Sequence, residues 1–227
     1  NQANKSVLSV DVPSGVGSDS GNLLGTHIKA TRTLQLAGAK VASVFQPAKQ
    51  AFGVWEIADI GIPKFMLDSL SSLELLTSDL IKPWLPKREA TAHKYSVGTV
   101  LVIAGSARYL GATELACRAA YRAGAGLVTL AAEARFTNSW PEIIFEPLNW
   151  NDRLLESLQK IPDNRAQVRV IGPGLGDEAQ LFLPDLIRRG NAPTILDAGA
   201  LASGTIWKDA VREHGCCVLT PHYGEAA

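Results

Sequence analysis

Five short segments place residues capable of chemistry directly after runs of apolar side chains. Asp11 follows Val7–Val10 and opens a Val-Pro-Ser-Gly turn over 12–15. Gly105-Ser106 and Gly111-Ala112 flank the turn after Val100–Ala104, and Gly172, Gly174 and Gly176 crowd IGPGLG (171–176) after Val168–Ile171. Asp197 ends the run in TILDAG, and His222 lies in TPHYGE (220–225) after Cys216–Leu219. A carboxylate at a strand end can accept hydrogen bonds from a ligand, or simply cap the turn that follows. Glycines ahead of a helix can bring backbone amides and the helix's positive end up to a phosphate, or serve close packing of helix on sheet. Asp177-Glu178, beside the third glycine, would repel a dianion unless they cap the helix. Of four histidines (His27, His93, His214, His222), only His222 is placed at the end of a buried strand, where it can hydrogen-bond a ligand or shuttle a proton. A satisfied structural histidine is the commoner outcome for any single one.

Other chemistries lack their residues. There is no GxGxxG, GxxxxGK[ST] or GxSxG, so dinucleotide-fingerprint, Walker and nucleophile-elbow logic do not apply. No second His or Cys stands at metal-ligand spacing from His222, which argues against zinc.

These residues need a scaffold that gathers strand ends. The apolar runs, which include Leu127–Ala131 and Thr194–Leu196, show no polar alternation and so suit a parallel sheet covered on both faces. Between them, 111–124, 152–160 and 178–189 carry helical spacing, with Leu115, Ala119 and Arg122 on one side of the first and Leu154, Leu155 and Leu158 striping the second. In the third, Leu181, Phe182, Asp185, Leu186 and Arg189 alternate apolar and charged faces. Strand–helix repetition predicts an α/β fold, layered α/β/α, with mostly parallel sheets. Upstream, 31–45 reads as two strands around Gly38, 55–63 as an edge strand stopped by Pro63, and 66–82 as helical. The stretch from Pro83 to Gly98 has no period and reads as a linker or long loop. Two units are therefore expected: 1–65 closing one domain and 93–227 opening a second, with a helix and linker over 66–92. VLSVD (7–11) reads as an already buried strand, and the chain stops two residues after a turn-and-acid motif, so it is read as an internal piece of a longer one.

Composition limits the partners. Twenty-two basic against 22 acidic residues leave no net charge to attract a nucleic acid or an anionic membrane surface. No apolar run reaches the roughly 18 residues of a bilayer span. Three cysteines, two of them adjacent, make no disulfide framework and suit a reducing, cytoplasmic compartment; an organelle remains open because the chain begins with Asn1 and a leader could have been removed.

Taken together, the motifs resemble a known family. HKYSVGTVLVIAGSARYLGA, ACRAAYRAGAGLVTLA, PEIIFEPL, VIGPGLG, PTILDAGAL and VLTPHYGE, in that order over 93–227, are similar to the first half of the NAD(P)H-hydrate dehydratase domain, a member of the ribokinase-like superfamily. VLSVDVPSGVGSDSG, AGAK and ADIGIP over 7–63 resemble the closing part of the Rossmann-like NAD(P)H-hydrate epimerase domain. The same two domains occur in this order in the bifunctional NAD(P)H-hydrate repair enzymes.

The resemblance implies an isomerase that interconverts the R and S hydrates of NADH and NADPH, and a lyase that removes water from the S form. Dehydration would be coupled to ADP or ATP, with Mg2+ accompanying the nucleotide, and potassium would serve the epimerase. Phosphorylation of the ring hydroxyl makes it a leaving group, and loss of phosphate restores the cofactor. By the same resemblance Asp11 contacts the hydrated nucleotide and Ser14 is a potassium ligand. Ala112, Gly174, Gly176 and His222 line the dehydratase's substrate site, with Gly105, Ser106 and Asp197 in support. The expected partners are hydrated NADH or NADPH and further copies of the same chain, with no nucleic acid and no membrane. The family's DADALN reads DAGALA here, so Gly199 replaces an acid and Ala202 an amide, and its HKG reads His93-Lys94-Tyr95. The dehydratase's GxGD base is expected beyond residue 227 and the epimerase's N-terminal motif before Asn1, so residues 1–227 alone are expected to catalyse neither reaction. A sugar or vitamin kinase of the same superfamily is the nearest rival, but it has no use for the 7–63 segment; a non-catalytic descendant is the other.

Overall fold

In the computed structural model, residues 5–70, 73–135, 140–150, 154–161, 165–201 and 206–226 are described. The chain falls into two compact units, Asn1–Leu85 and Pro86–Ala227.

The first unit is a three-stranded parallel sheet in the order β1-β2-β3, from Leu8–Val10, Arg32–Leu36 and Val54–Ala58. Its core is small: Phe52 and Ala51 of a short helix α1 (Lys49–Phe52), with Ala42, Ala48 and Val16. The 55–63 segment does supply the edge strand, β3. Three expectations fail. β1 is not a buried strand, since Leu8 and Val10 are exposed and Ser9 alone is buried; nothing among the described residues covers that face. The second strand expected around Gly38 is a 3-10 turn, Val41–Ser43, because Ala37 takes a left-handed φ of 65° and turns the chain off the sheet. The 66–82 segment is two short helices, α2 (Lys64–Leu70) and α3 (Ser78–Ile81), the latter capped by the Thr77 hydroxyl accepting from Leu80 N–H. Residues 83–91 are exposed throughout.

The second unit is a six-stranded parallel sheet. Its strands are β4 (Thr99–Ile103), β5 (Leu127–Ala132), β6 (Ile144–Pro147), β7 (Val168–Ile171), β8 (Thr194–Leu196) and β9 (Cys217–Leu219), in the order β6-β5-β4-β7-β8-β9. Helix α4 (Leu110–Arg122) packs on one face, where Cys117 joins Val102, Ala104, Val128 and Leu130. Its Leu115, Ala119 and Arg122 do share a side, but it is the exposed one; the small side chains of Thr113, Ala116 and Ala120 let the helix lie close to the sheet. Burial pushes the Cys117 thiol up to about 12, so it stays protonated and behaves as a core hydrophobe.

The opposite face packs on α5 (Leu154–Lys160), α6 (Leu183–Arg189) and α7 (Ile206–His214) through Ile161, Leu183, Leu186, Ile187 and Ala210. The expected 178–189 helix begins as a 3-10 segment, Asp177–Phe182. Three residues per turn instead of 3.6 rotates the faces, so Ala179 is buried and Leu181 is 79% exposed. The α5 stripe of Leu154, Leu155 and Leu158 lies outside the described side chains. The double-sided cover inferred from the apolar runs is incomplete: Val218 in the edge strand β9 is 59% exposed.

β5 and β6 lie on one side of β4, and β7, β8 and β9 on the other. The chain therefore reverses direction across the sheet between β4 and β7. The connections leaving those two strands part to opposite faces, and the crevice between them is where open parallel sheets bind ligands.

Candidate functional site

At that crevice the backbone is laced tightly. Gly172 N–H donates to Ile103 O (3.1 Å), and Gly105 N–H donates to Pro173 O (2.9 Å). Gly174, at φ 69°, lies against the first turn of α4: a Cβ there would sit 2.6 Å from Tyr109 O and 3.2 Å from the Ala112 Cβ. The glycine turn and the helix start thus form one wall. Gly174 and Gly176 N–H meet no acceptor among the described residues, leaving two backbone donors at the rim. The acids that follow, Asp177 and Glu178, are exposed in the first 3-10 turn, and neither side chain makes the expected capping hydrogen bond to a described residue.

Further along the same edge, Asp197 N–H donates to Ile171 O (3.0 Å), and the Thr220 hydroxyl donates to Asp197 Oδ1 (2.8 Å). His222 follows at the start of α8 (Tyr223–Ala226), with its side chain 73% exposed. Gly224 N–H donates to His222 Nδ1 (3.0 Å), so the ring proton resides on Nε2, which lies 3.3 Å from Glu225 Oε1. His222 N–H donates to Glu225 Oε2 (2.9 Å), a backbone contact, so the ring is held by the Gly224 amide and flanked by Glu225.

Gly105, Ser106, Ala112, Gly174 and Gly176 therefore come together, with Asp197 and then His222 further along the same strand ends. Sequence reasoning did not single out Tyr109, Thr113 or Thr220. Ser106 Oγ and Thr113 Oγ1 are buried at this crevice without a partner among the described residues. Gly199, where the family carries an acid, has room for nothing larger: a Cβ would lie 2.8 Å from Leu175 O and 3.0 Å from Gly172 O. Gln180 donates its amide to Gly199 O, closing the loop further. Ala202 lies outside the described residues.

Asp11 and Ser14 belong to the first unit. Asp11 ends β1 in the left-handed region (φ 65°), a strained conformation for a non-glycine residue. Its Oδ1 accepts from Leu36 N–H (3.0 Å) and from Lys40 Nζ (2.9 Å). The Lys40 ammonium first, and the Leu36 amide second, hold the Asp11 carboxyl below its ordinary value, against a smaller opposing effect of burial. A carboxylate whose folded-state value is depressed adds stability that is fully present above its unfolded value of 3.8 and is lost as pH falls through the lower folded value. Acid titration of the first unit's unfolding free energy is thus expected to fall away below about pH 4 in the native protein, and to be flatter there in Asp11→Asn.

Ser14 is exposed, and its carbonyl is occupied by Ile28 N–H (2.9 Å). Its hydroxyl makes no hydrogen bond to a described residue and is a chemically suitable oxygen for a hard monovalent cation. No three His, Cys, Asp or Glu residues gather as a metal cluster among the described residues. No helix among them is long and apolar enough to cross a membrane.

Comparison with known proteins agrees with this architecture. The sequence model of the NAD(P)H-hydrate dehydratase family matches residues 100–227, and that of the YjeF-related protein N-terminus matches 1–42. The bifunctional NAD(P)H-hydrate repair enzyme Nnr of Moorella thermoacetica is 38% identical, over 100% of this chain and 45% of that protein. The enzyme of the same name from Salinibacter ruber is 34% identical over 96% of this chain and 44% of its own length. The chain thus spans less than half the length of these relatives. A ribokinase-like superfamily protein of Enterococcus faecalis, at 23% identity and a TM-score of 0.52 over 68% of this chain and 57% of that one, shares the fold. With more than half of its residues matched by the family's sequence model, this chain belongs to the NAD(P)H-hydrate dehydratase family.

Proposed function

We propose that the protein containing this chain repairs hydrated nicotinamide cofactors. Its second unit takes part in nucleotide-dependent removal of water from the S hydrate of NADH or NADPH, and its first unit in interconversion of the R and S hydrates. The supporting observation is the pair of amides of Gly174 and Gly176, without an acceptor among the described residues and held beside the first turn of α4 at the reversal point of the sheet. Donors so placed suit the diphosphate of a dinucleotide. Ala112 packs at the same wall, and His222, its ring held by the Gly224 amide, presents that ring at the far end of the edge for a substrate hydrogen bond. Gly105, Ser106 and Asp197 support these from the strand ends.

ADP or ATP, with Mg2+, supplies when bound the phosphoryl group that turns the ring hydroxyl into a leaving group; the described residues offer the metal no cluster of their own. For potassium, Ser14 Oγ would be one oxygen ligand beside Asp11. Residues 1–65 are assigned to the closing part of the epimerase domain, 66–92 to a helix and linker, and 93–227 to the first half of the dehydratase domain. The family matches on either side of the linker support that division. We place the enzyme in the cytoplasm as a homo-oligomer.

The test is recovery of absorbance at 340 nm from purified hydrated cofactor by the full-length protein. Recovery of the S form with ADP or ATP, and of the R form at a rate that responds to potassium, is expected. No recovery with either nucleotide would overturn the dehydratase assignment.

A further inference from the structure

The loop after β2 closes on Asp11 in a way that packing alone does not demand. All three Lys40 Nζ hydrogens have acceptors: Asp11 Oδ1 at 2.9 Å, Leu36 O at 2.8 Å and Gly38 O at 3.3 Å. The ammonium is fixed in one place rather than waving in solvent, and its side chain is only 25% exposed. The Lys40 backbone is pinned as well, by its N–H donating to Gln35 Oε1 (2.6 Å).

Gln35 is fully buried, and its Nε2 has no partner among the described residues. A buried unpaired amide is unfavourable. So are the left-handed backbones at Asp11 and Ala37, both at φ 65°. Three unfavourable features converge on one lysine–carboxylate contact. Strain gathered in this way persists where the surroundings over-determine a functional geometry.

The contact is also one-sided. Leu36 N–H and Lys40 Nζ both engage Asp11 Oδ1, and among the described residues nothing donates to Oδ2. We propose that Lys40 is a positioning residue of the epimerase-type site, clamping Asp11 by Oδ1 so that Oδ2 is presented as the acceptor for a hydroxyl of the hydrated cofactor. This rests on the repair reading above and adds to it the residue that sets the orientation of the aspartate. Lys40 is the charged group that faces Asp11 from β2 and the loop behind it. Its loss leaves the carboxylate without its cation, held at Oδ1 by the Leu36 amide alone.

The experiment compares Lys40→Met and Lys40→Arg with the native full-length protein, following R/S interconversion against pH and the 13C signal of the Asp11 carboxyl in the ligand-free state. Lys40→Met is expected to lower kcat/KM by about 10- to 100-fold, the range of one hydrogen bond to a charged group. Its acidic limb and the Asp11 titration should both move to higher pH. Lys40→Arg, which keeps the cation, should leave both near their native positions. Equal loss in the two variants with an unmoved Asp11 titration would assign Lys40 a structural role and overturn the proposal, as would native kinetics in Lys40→Met. If the native protein fails to interconvert the hydrates, the epimerase reading falls by itself. The Asp11 titration then decides the clamp, and an unchanged curve in Lys40→Met refutes it.

Discussion

Gly172→Ala is expected to destabilise the second unit by about 3–5 kcal/mol and to lower its melting temperature by roughly 10 °C. Two effects add at this position. The backbone sits at φ 124°, outside the regions an alanine adopts readily, and a Cβ would lie 1.8 Å from Asp197 O and 2.7 Å from the Ala200 Cβ. Neither neighbour can yield cheaply. Asp197 N–H is bonded to Ile171 O and Ala200 N–H to Asp197 O, so moving that carbonyl breaks the link between β7 and β8. With a total stability of about 5–15 kcal/mol for a typical domain, the loss is large enough to see by urea titration. Gly111→Ala is the control: a Cβ there meets nothing within 4 Å, it lies in the first helical turn, and it should be neutral or slightly stabilising. If the two substitutions cost the same, the glycine turn is not held by this packing.

Arg169→Met is expected to cost about 3–5 kcal/mol, comparable to breaking a buried charge network. Arg169 is fully buried in β7. Its Nε donates to the Thr194 hydroxyl (3.0 Å), Nη1 to Leu186 O (2.9 Å), and Nη2 to Ile187 O (2.9 Å), Gly190 O (3.3 Å) and His214 Nε2 (3.0 Å). The guanidinium thereby fills the C-terminal end of α6, where carbonyls lack helical partners and the helix dipole favours a cation. It also ties α6 and α7 to the sheet. Methionine can fill much of the volume but returns no donor, leaving several buried carbonyls unsatisfied. Arg169→Lys keeps the charge, but an ammonium cannot span this fork of acceptors, so an intermediate loss is expected. A change below about 1 kcal/mol in Arg169→Met, by chemical denaturation, would show that the network is energetically idle.

Both positions illustrate how unevenly the sequence discloses its structure. The strands β4, β5, β7 and β8 are legible because strands flanked on both sides by partners are apolar whatever their order in the sheet, and the edge strand β9 is legible from its own apolar run. β6 does not read as a strand, since Glu146 and Pro147 interrupt its pattern, and an edge position tolerates both. Arg169 sits in plain view inside VRVI, but nothing local says that α6 will end over it. The 3-10 start at Asp177 shifts which side chains of 178–189 are buried, because helix type at a terminus depends on what the preceding loop packs against. The AGAK segment stands out for its resemblance, yet the contact of its lysine with Asp11 depends on Ala37 turning the chain back.

Legible in the chain alone are the class of fold, the strand ends that carry glycine, aspartate and histidine, and the family to which those motifs point. These are properties of short windows, set by side-chain polarity, by missing Cβ atoms and by spacing along the chain. Folding alone brings the glycine turn against Ala112 and Tyr109, the Thr220 hydroxyl to Asp197, and Lys40 onto one oxygen of Asp11. Those contacts depend on strand order and on which face each connection crosses, and both are settled by burial of surface between residues far apart in the chain.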